Sequence, residues 1–294
     1  MPSEMKAAYI LEKGPPENLI YGERPVPRPN ANEVLVKIYA SAVNPIDTYV
    51  RSGIVNMDLP FPYIPGCDFA GRIEEVGRDV KKLKIGDRVW GSNQGVYGRQ
   101  GTLAEFAVVD EMWAYPIPNG VDDRSAAGAR VITTVGNAAK QRLCESWGAD
   151  LVLNYHSKHL DADIDNFAAN TGGIKLWIET QRELSFERIV TLMAPHGRIV
   201  LMAGAEQRPE LPIGPFYFKE LRLLGLLMMK TTAEEQQKSA LAINNLFEAG
   251  KFCPPVGRIF PLTEAACAHS FQEQNTLAKS GELSGKIIVL PGGG

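Results

Sequence analysis

Compact cysteine frameworks, histidines paired at metal-ligand spacing, long apolar runs and an excess of either charge are all missing from this 294-residue sequence. Its four cysteines, Cys67, Cys144, Cys253 and Cys267, lie far apart and form no CxxC pair. That spacing excludes a disulfide-stapled scaffold and points to free thiols in a reducing compartment. None of the four histidines, His156, His159, His196 and His269, is paired at ligand spacing, so no bound metal is expected. With a formal charge of -3 and dispersed basic residues, there is no electrostatic case for nucleic acid or for an anionic membrane. The greasiest run, LRLLGLLMM from Leu221 to Met229, is far too short to span a bilayer, and the start MPSEMKAAYI lacks the apolar core of a signal peptide. A cytoplasmic protein is expected.

A further absence concerns glycine. From Ala126 to Tyr155 the chain reads as one strand–helix–strand crossover: a β-branched run from Ala129 to Val135, a helix capped by Asn137 and stopped at Gly148, then Leu151 to Leu153. In a doubly wound nucleotide-binding sheet another crossover precedes this one, with a glycine-rich turn and a helix N-terminus that receive the pyrophosphate, together roughly 30 residues or more. Before Ala129 there is only Gly128, Ala127, Ala126, Ser125 and the loop NGVDDR. The segment GVYGRQG, Gly95 to Gly101, has glycines every third residue but opens no helix, so it reads as a hairpin loop and not as a phosphate cradle.

What is present divides into two textures. The first part, with KAAYIL, EVLVKIYASAV, RIEEV, DRVWG and EFAVV, alternates short β-favouring runs with Gly and Pro punctuation and reads as a β barrel. From about Ser125 strands alternate with helices, as in a parallel α/β sheet. Thr232 and Glu235 are spaced as a capping box, opening a helix with Leu241, Leu246 and Phe247 on one face. The closing strand KIIVL is expected to return to the barrel. The fold class is α/β plus β, with residues 1–125 and 256–294 in the barrel domain and 126–255 in the nucleotide domain.

Two strings carry a recognisable pattern: SAVNPIDTYVRSG from Ser41 and IPGCDFAGRIEEVGRDVKKLKIGDRVWG from Ile64. Together they resemble the medium-chain dehydrogenase/reductase superfamily, and NPIDTYVRSG resembles its zinc-free quinone oxidoreductase branch, which includes zeta-crystallin. The resemblance implies a GroES-like barrel and a Rossmann-type sheet, here lacking its central first strand. It also implies NADPH in the cleft between them and hydride transfer to a quinone or related conjugated carbonyl. Asn44 stands where the zinc-dependent branch has its first cysteine ligand.

The resemblance makes Tyr49 and Asn44 the candidate catalytic and nicotinamide-side residues, since the matching family positions line the cleft. Asp47 and Arg51 read as a structural ion pair or a surface turn. NAD-specific sites commonly place an acid at the end of the second strand, but this strand ends Val135, Gly136, Asn137. Lys140 in the first helical turn and Tyr155 at the close of the next strand match family positions at the NADP adenosine end, which favours NADPH. Met202, Ala203, Gly204 and Ala205, with Leu226, Leu227 and Met228 one strand later, would offer backbone groups at the carboxyl ends of strands. The Leu221 to Met229 strand is also the expected homodimer edge.

In the strand order 3-2-1-4-5-6 the missing strand is central, and its loss leaves two interior edges. Buried unsatisfied backbone groups cost about 1 to 3 kcal/mol each, so the sheet is expected to close by pairing Ala129–Val135 with Lys175–Ile178. Three functional readings stand open: a working reductase of quinones or of enones, a non-catalytic remnant that binds a partner or dimerises, and an incomplete version of a longer parent enzyme.

Overall fold

The computed structural model describes residues 2–117, 130–250 and 254–292. The expected domain boundary near residue 125, the beginning of the strand at Ala129, and Cys253 lie outside them. The chain divides into two compact units, Met1–Ala126 with Thr232–Gly294, and Ala127–Thr231.

The first unit opens with β1 (Glu4–Tyr9) and β2 (Ile20–Pro25), an antiparallel pair. There follow β3 (Glu33–Val43), α1 (Pro45–Ser52), β4 (Asp68–Val76), β5 (Arg88–Gly91), β6 (Phe106–Asp110) and β7 (Ala114–Pro116). In the second unit come β8 (Ile132–Val135), α2 (Ala138–Ser146), β9 (Leu151–Asn154), α3 (Leu160–Thr171), β10 (Ile174–Glu179), α4 (Phe186–Leu192), β11 (Met193–Leu201), α5 (Ile213–Phe218) and β12 (Arg222–Gly225). The chain then rejoins the first unit with α6 (Ala233–Glu248), β13 (Val256–Pro261), α7 (Ala265–Thr276) and β14 (Lys286–Leu290).

The barrel is organised on β3. Its eleven residues pair antiparallel with β4, β6 and β14, so the KIIVL strand does return to the N-terminal sheet. Alternation along β3 and its neighbours supplies two cores. One gathers Leu35, Val43, Leu103 and Ile287 with Phe260 and Ala268; the other gathers Val34, Val36, Ile73 and Val89. The GVYGRQG segment is a closed turn with Val96 buried, and no helix follows it. It is not a hairpin, because β5 pairs with β4 and β7 while β6 pairs with β3.

Helix α6 departs from expectation in two ways. It groups with the barrel unit and not with the nucleotide unit, because Trp90 Nε1 donates to Asn244 Oδ1 at 2.9 Å and Asn244 Nδ2 donates to Pro116 O at 2.9 Å. Its buried face is therefore Ala240 and Asn244, while Leu241 and Leu246 stay exposed. The capping box is formed as read, with Thr232 N donating to Glu235 Oε2 and Glu235 N to Thr232 Oγ1.

In the α/β unit all pairings are parallel, but they form two sheets, β8-β9 and β10-β11-β12. The expected closure of the Ala129–Val135 run against the Lys175–Ile178 run does not occur. The cost that would have driven it applies to buried groups, and these strands are not buried: Leu176 and Ile178 are exposed and only Val135 of β8 is buried. Helix α2 likewise has no buried residue, with Trp147 55% exposed just beyond its end. The unit's core lies in the second sheet, where Ile174, Ile189, Val190, Met193 and Ile199 pack together. Among the described residues no helix is long and apolar enough to cross a membrane.

Candidate functional site

On the barrel side the candidate residues converge where α1 begins. Asn44 is extended and Pro45 presets the first helical turn, while Gly53 ends the helix in the left-handed region at φ 88°. The Asn44 backbone N–H donates to Asp47 Oδ2 at 2.7 Å. Each end of the Asn44 amide makes one bond: Nδ2 donates to Asp68 Oδ2 at 2.9 Å, and Oδ1 accepts from Lys286 Nζ. Lys286 also contacts Asp68 Oδ2 at 3.1 Å, and Ser92 Oγ donates to Asp68 Oδ1 at 2.7 Å. Asp68 is thus the hub of a network that joins α1, β4, β14 and the loop after β5.

The backbone behind this hub is tightly fixed. Thr102 Oγ1 donates to Asp68 O at 2.9 Å and lies 2.7 Å from Ser41 Oγ. Gly66, at φ 112°, leaves no room for a side chain, since a Cβ there would lie 2.7 Å from Thr102 Oγ1. Tyr49 sits half-buried on the same short helix as Asp47.

Asp47 and Arg51 are neither a pair with each other nor a surface turn. Both are buried, and Arg51 instead bonds Glu273, Gly14 O and His269 Nδ1. Burial, then repulsion from the Arg51 guanidinium, pushes His269 down to about 3, so it is a neutral imidazole with Nδ1 accepting. Burial, reinforced by the negative charge of Asp68, pushes Asp47 up to about 7, and its Oδ1 has no hydrogen-bond partner. Cys67 is buried beside it, with its thiol pushed well up, chiefly by burial.

Among the described residues no three His, Cys, Asp or Glu side chains gather to hold a metal ion. The donors at α1 do not gather for one either: Asp68 is held by Asn44, Ser92 and Lys286, the Lys286 ammonium stands where a cation would sit, and the Cys67 thiol is buried and neutral.

In the α/β unit the sequence-derived residues fall at the carboxyl ends of strands, in two groups. At the end of β8 and β9, Gly136 and Tyr155 meet: a Cβ on residue 136 would lie 2.2 Å from the Tyr155 hydroxyl. Asn137 caps α2 by accepting from the backbone N–H of Lys140 at 2.9 Å, and no acid follows β8. At the other sheet, Met202 N donates to Glu179 O at 3.0 Å and Leu226 N to Leu201 O at 2.9 Å, so the Met202–Ala205 turn and the Leu226–Met228 turn leave adjacent strands. Gly204 carries the turn at φ 82°. Both groups sit at the carboxyl ends of parallel strands, where open α/β sheets bind their ligands. Among the described residues no strand, glycine turn and helix stand directly before β8.

Sequence reasoning missed Asp68, Ser92 and Lys286 as site residues. Lys286 reads as an ordinary strand-end lysine, and only the antiparallel pairing of β14 with β3 brings it to α1.

Two family models match the chain, "Alcohol dehydrogenase GroES-like domain" over residues 30–119 and "Zinc-binding dehydrogenase" over residues 124–244. A quinone oxidoreductase from Lama guanicoe is 28% identical over 334 residues, with 97% of each chain covered. The chain belongs to the medium-chain dehydrogenase/reductase superfamily. Within it, the similarity is to the quinone oxidoreductase branch. A chloroplastic NADPH-dependent alkenal/one oxidoreductase from Arabidopsis thaliana is 25% identical, covering 99% of this chain and 81% of its own. Among solved structures, a mycobacterial protein complexed with NADPH shares the fold at a TM-score of 0.75 and 23% identity, covering 98% of this chain and all of that one. The second family model carries zinc in its description, yet the described residues supply no ligand set for it.

Proposed function

We propose that this superfamily member is an NADPH-dependent reductase of quinones or related conjugated carbonyls. The observation that carries the reading is the network at the start of α1, which holds an ammonium at the site without a metal ligand set. The bound nicotinamide supplies a hydride, and a quinone or enone accepts it because its own conjugation spreads the negative charge. Lys286 has three N–H donors, two of them held by Asn44 and Asp68. The remaining one is available to the substrate oxygen on which charge develops. Tyr49 donates the proton to that oxygen. Asn44 positions Lys286 through its Oδ1 and keeps one Nδ2–H for the nicotinamide ribose or the substrate carbonyl.

NADPH is favoured over NADH because Gly136 and Asn137 follow β8 where an acid would repel a 2′-phosphate, with Lys140 in the first turn of α2. The relatives named above supply the substrate class, and the Arabidopsis protein keeps the enone alternative open. We also propose a homodimer through the edge strand β12 and the turn after it, where Leu223 and Leu224, then Leu226, Leu227 and Met228, are exposed.

A second reading has its own observation. The alignment with the Lama guanicoe protein spans 334 positions and the chain has 294 residues, so at least 40 positions of that relative have no counterpart here. Such a shortfall supports a non-catalytic remnant or an incomplete version of a longer parent. Mixing the purified chain with NADPH and a simple quinone separates the readings. Quinone-dependent loss of nicotinamide absorbance is expected, with Lys286→Gln lowering kcat about 10-fold, the loss of one charge-assisted hydrogen bond. No turnover and no change in nicotinamide fluorescence at millimolar NADPH would remove the reductase reading.

A further inference from the structure

Cations that lie scattered along the sequence are gathered in the barrel unit by strand register. β4 pairs antiparallel with β3 and with β5, and these ladders set Lys37 opposite Arg72 and Arg72 opposite Arg88. Directly opposed residues point to the same face of a sheet, so the three side chains form a row on strands about 5 Å apart. All three are exposed, and none is in an ion pair among the described residues. Like charges directly opposite one another weaken a sheet, and an anion laid along the row would relieve that repulsion.

The row ends at a groove of about 590 Å³ beside the turn between β4 and β5, lined by Lys81, Lys82, Lys84 and Arg88 together with Pro116 and Ile117. The Arg72 guanidinium lies against the same turn: a Cβ on Gly86, another lining residue, would sit 3.3 Å from Arg72 Nη2. Asp87 is the one acid among the lining residues, and its Oδ2 accepts from the Lys84 backbone N–H at 3.0 Å. Glu111 also holds the turn, with Oε1 accepting from the Lys81 backbone N–H at 2.9 Å. Cations therefore outnumber acids in the groove, and the acids nearby brace the backbone that carries the lysines.

A single exposed ion pair strengthens binding by about fivefold at most, so an anion of one charge would be held weakly here. Cations on one concave surface favour a ligand that carries several negative charges close together. Arginine adds a planar fork that matches phosphate oxygens two at a time. We propose that this groove binds a cluster of two or more phosphate groups carried by one ligand, held by Arg72, Arg88 and the lysines of the turn. The site uses no residue of the network at α1 and needs no nicotinamide.

Inorganic triphosphate and orthophosphate are titrated into the full chain by calorimetry at low salt, without NADPH. Triphosphate is expected to bind at least tenfold more tightly than orthophosphate and to raise the thermal unfolding midpoint. Arg72→Gln combined with Arg88→Gln should weaken triphosphate binding about tenfold, the loss of two exposed ion pairs, without lowering the thermal midpoint of the free protein. Lys158→Gln combined with Lys175→Gln, an equal loss of exposed charge on the α/β unit, should leave the affinity unchanged. A second arm offers phosphatidylcholine vesicles bearing phosphatidylinositol bisphosphate. Vesicle binding that is lost in the Arg72 and Arg88 variant assigns the phosphate cluster to a lipid headgroup, and binding of triphosphate alone assigns it to a free solute. No binding in either arm, equal affinity for orthophosphate and triphosphate, or equal weakening by the two double variants would overturn the proposal.

Discussion

In the barrel unit β3 is hydrogen-bonded to three other strands, and its residues feed two cores. In the α/β unit only β11 has two partners among the described residues; β8, β9, β10 and β12 have one each. The first arrangement buries both faces of its central strand, so each residue is fixed by neighbours on several sides. The second leaves strand edges and the helix α2 in solvent. Local stability follows buried contact density, so the two units should unfold separately, the α/β unit first. Two tryptophans in each unit, Trp90 and Trp113 against Trp147 and Trp177, provide separate fluorescence reporters once the other pair is replaced by Phe.

The largest expected effect falls on the barrel. Arg51→Ala leaves Glu273 without its cation and empties a fully buried position, lowering the urea-unfolding free energy of that unit by about 3 to 5 kcal/mol. The α/β transition should stay in place. If both transitions move together, the separation of the units is wrong.

Next comes pH, where two buried groups oppose each other. The folded pKa of Asp47 is raised from 3.8 to about 7, so the folded state holds its proton longer, and stability is lost as pH rises from about 4 to about 7. The folded pKa of His269 is lowered from 6.5 to about 3, so stability is gained over about 3 to 6.5. The two slopes largely cancel in the native barrel. Asp47→Asn should expose the His269 slope, giving a barrel whose stability rises by roughly 3 kcal/mol between pH 3 and 6.5. An unchanged pH profile in the variant would contradict the raised pKa of the buried Asp47 carboxyl.

Smaller effects test the other unit. Ile199→Val, at a fully buried position in the β10-β11-β12 sheet, should cost about 1 kcal/mol and move only the α/β transition. Gly136→Ala should barely change stability, because the atom it meets is the tip of the half-exposed Tyr155 side chain. It should nonetheless weaken NADPH binding severalfold, read by nicotinamide fluorescence, since the methyl group would displace that hydroxyl. Equal NADPH affinity in the variant would detach Gly136 and Tyr155 from the cofactor.

Much of the architecture was legible in the chain because its signals are local. Asn137 and the Thr232–Glu235 box announce helix starts by side-chain geometry confined to one turn, and the alternation along residues 33–43 announces a strand buried on both sides. The long-range outcomes were not legible. Whether the edges of β8 and β10 would pair depended on how much of them is buried, a property of the whole unit. The side of α6 that turns inward was decided by the Trp90–Asn244 bond, between residues 154 positions apart. The candidate site was half read: Asn44 was found through the resemblance carried by SAVNPIDTYVRSG, while Lys286 lies 242 positions further on and nothing near it in sequence marks it.

The pairing of β14 with β3 also sets a timetable for synthesis. Residues 33–43 leave the ribosome long before the partner on one side of that strand, residues 286–290, is made. The intervening α/β segment, residues 127–231, is complete before then and can take shape while the barrel waits. During that wait the β14-facing edge of β3 is uncovered, which makes a nascent chain stalled before residue 286 the form most exposed to chaperones and to aggregation.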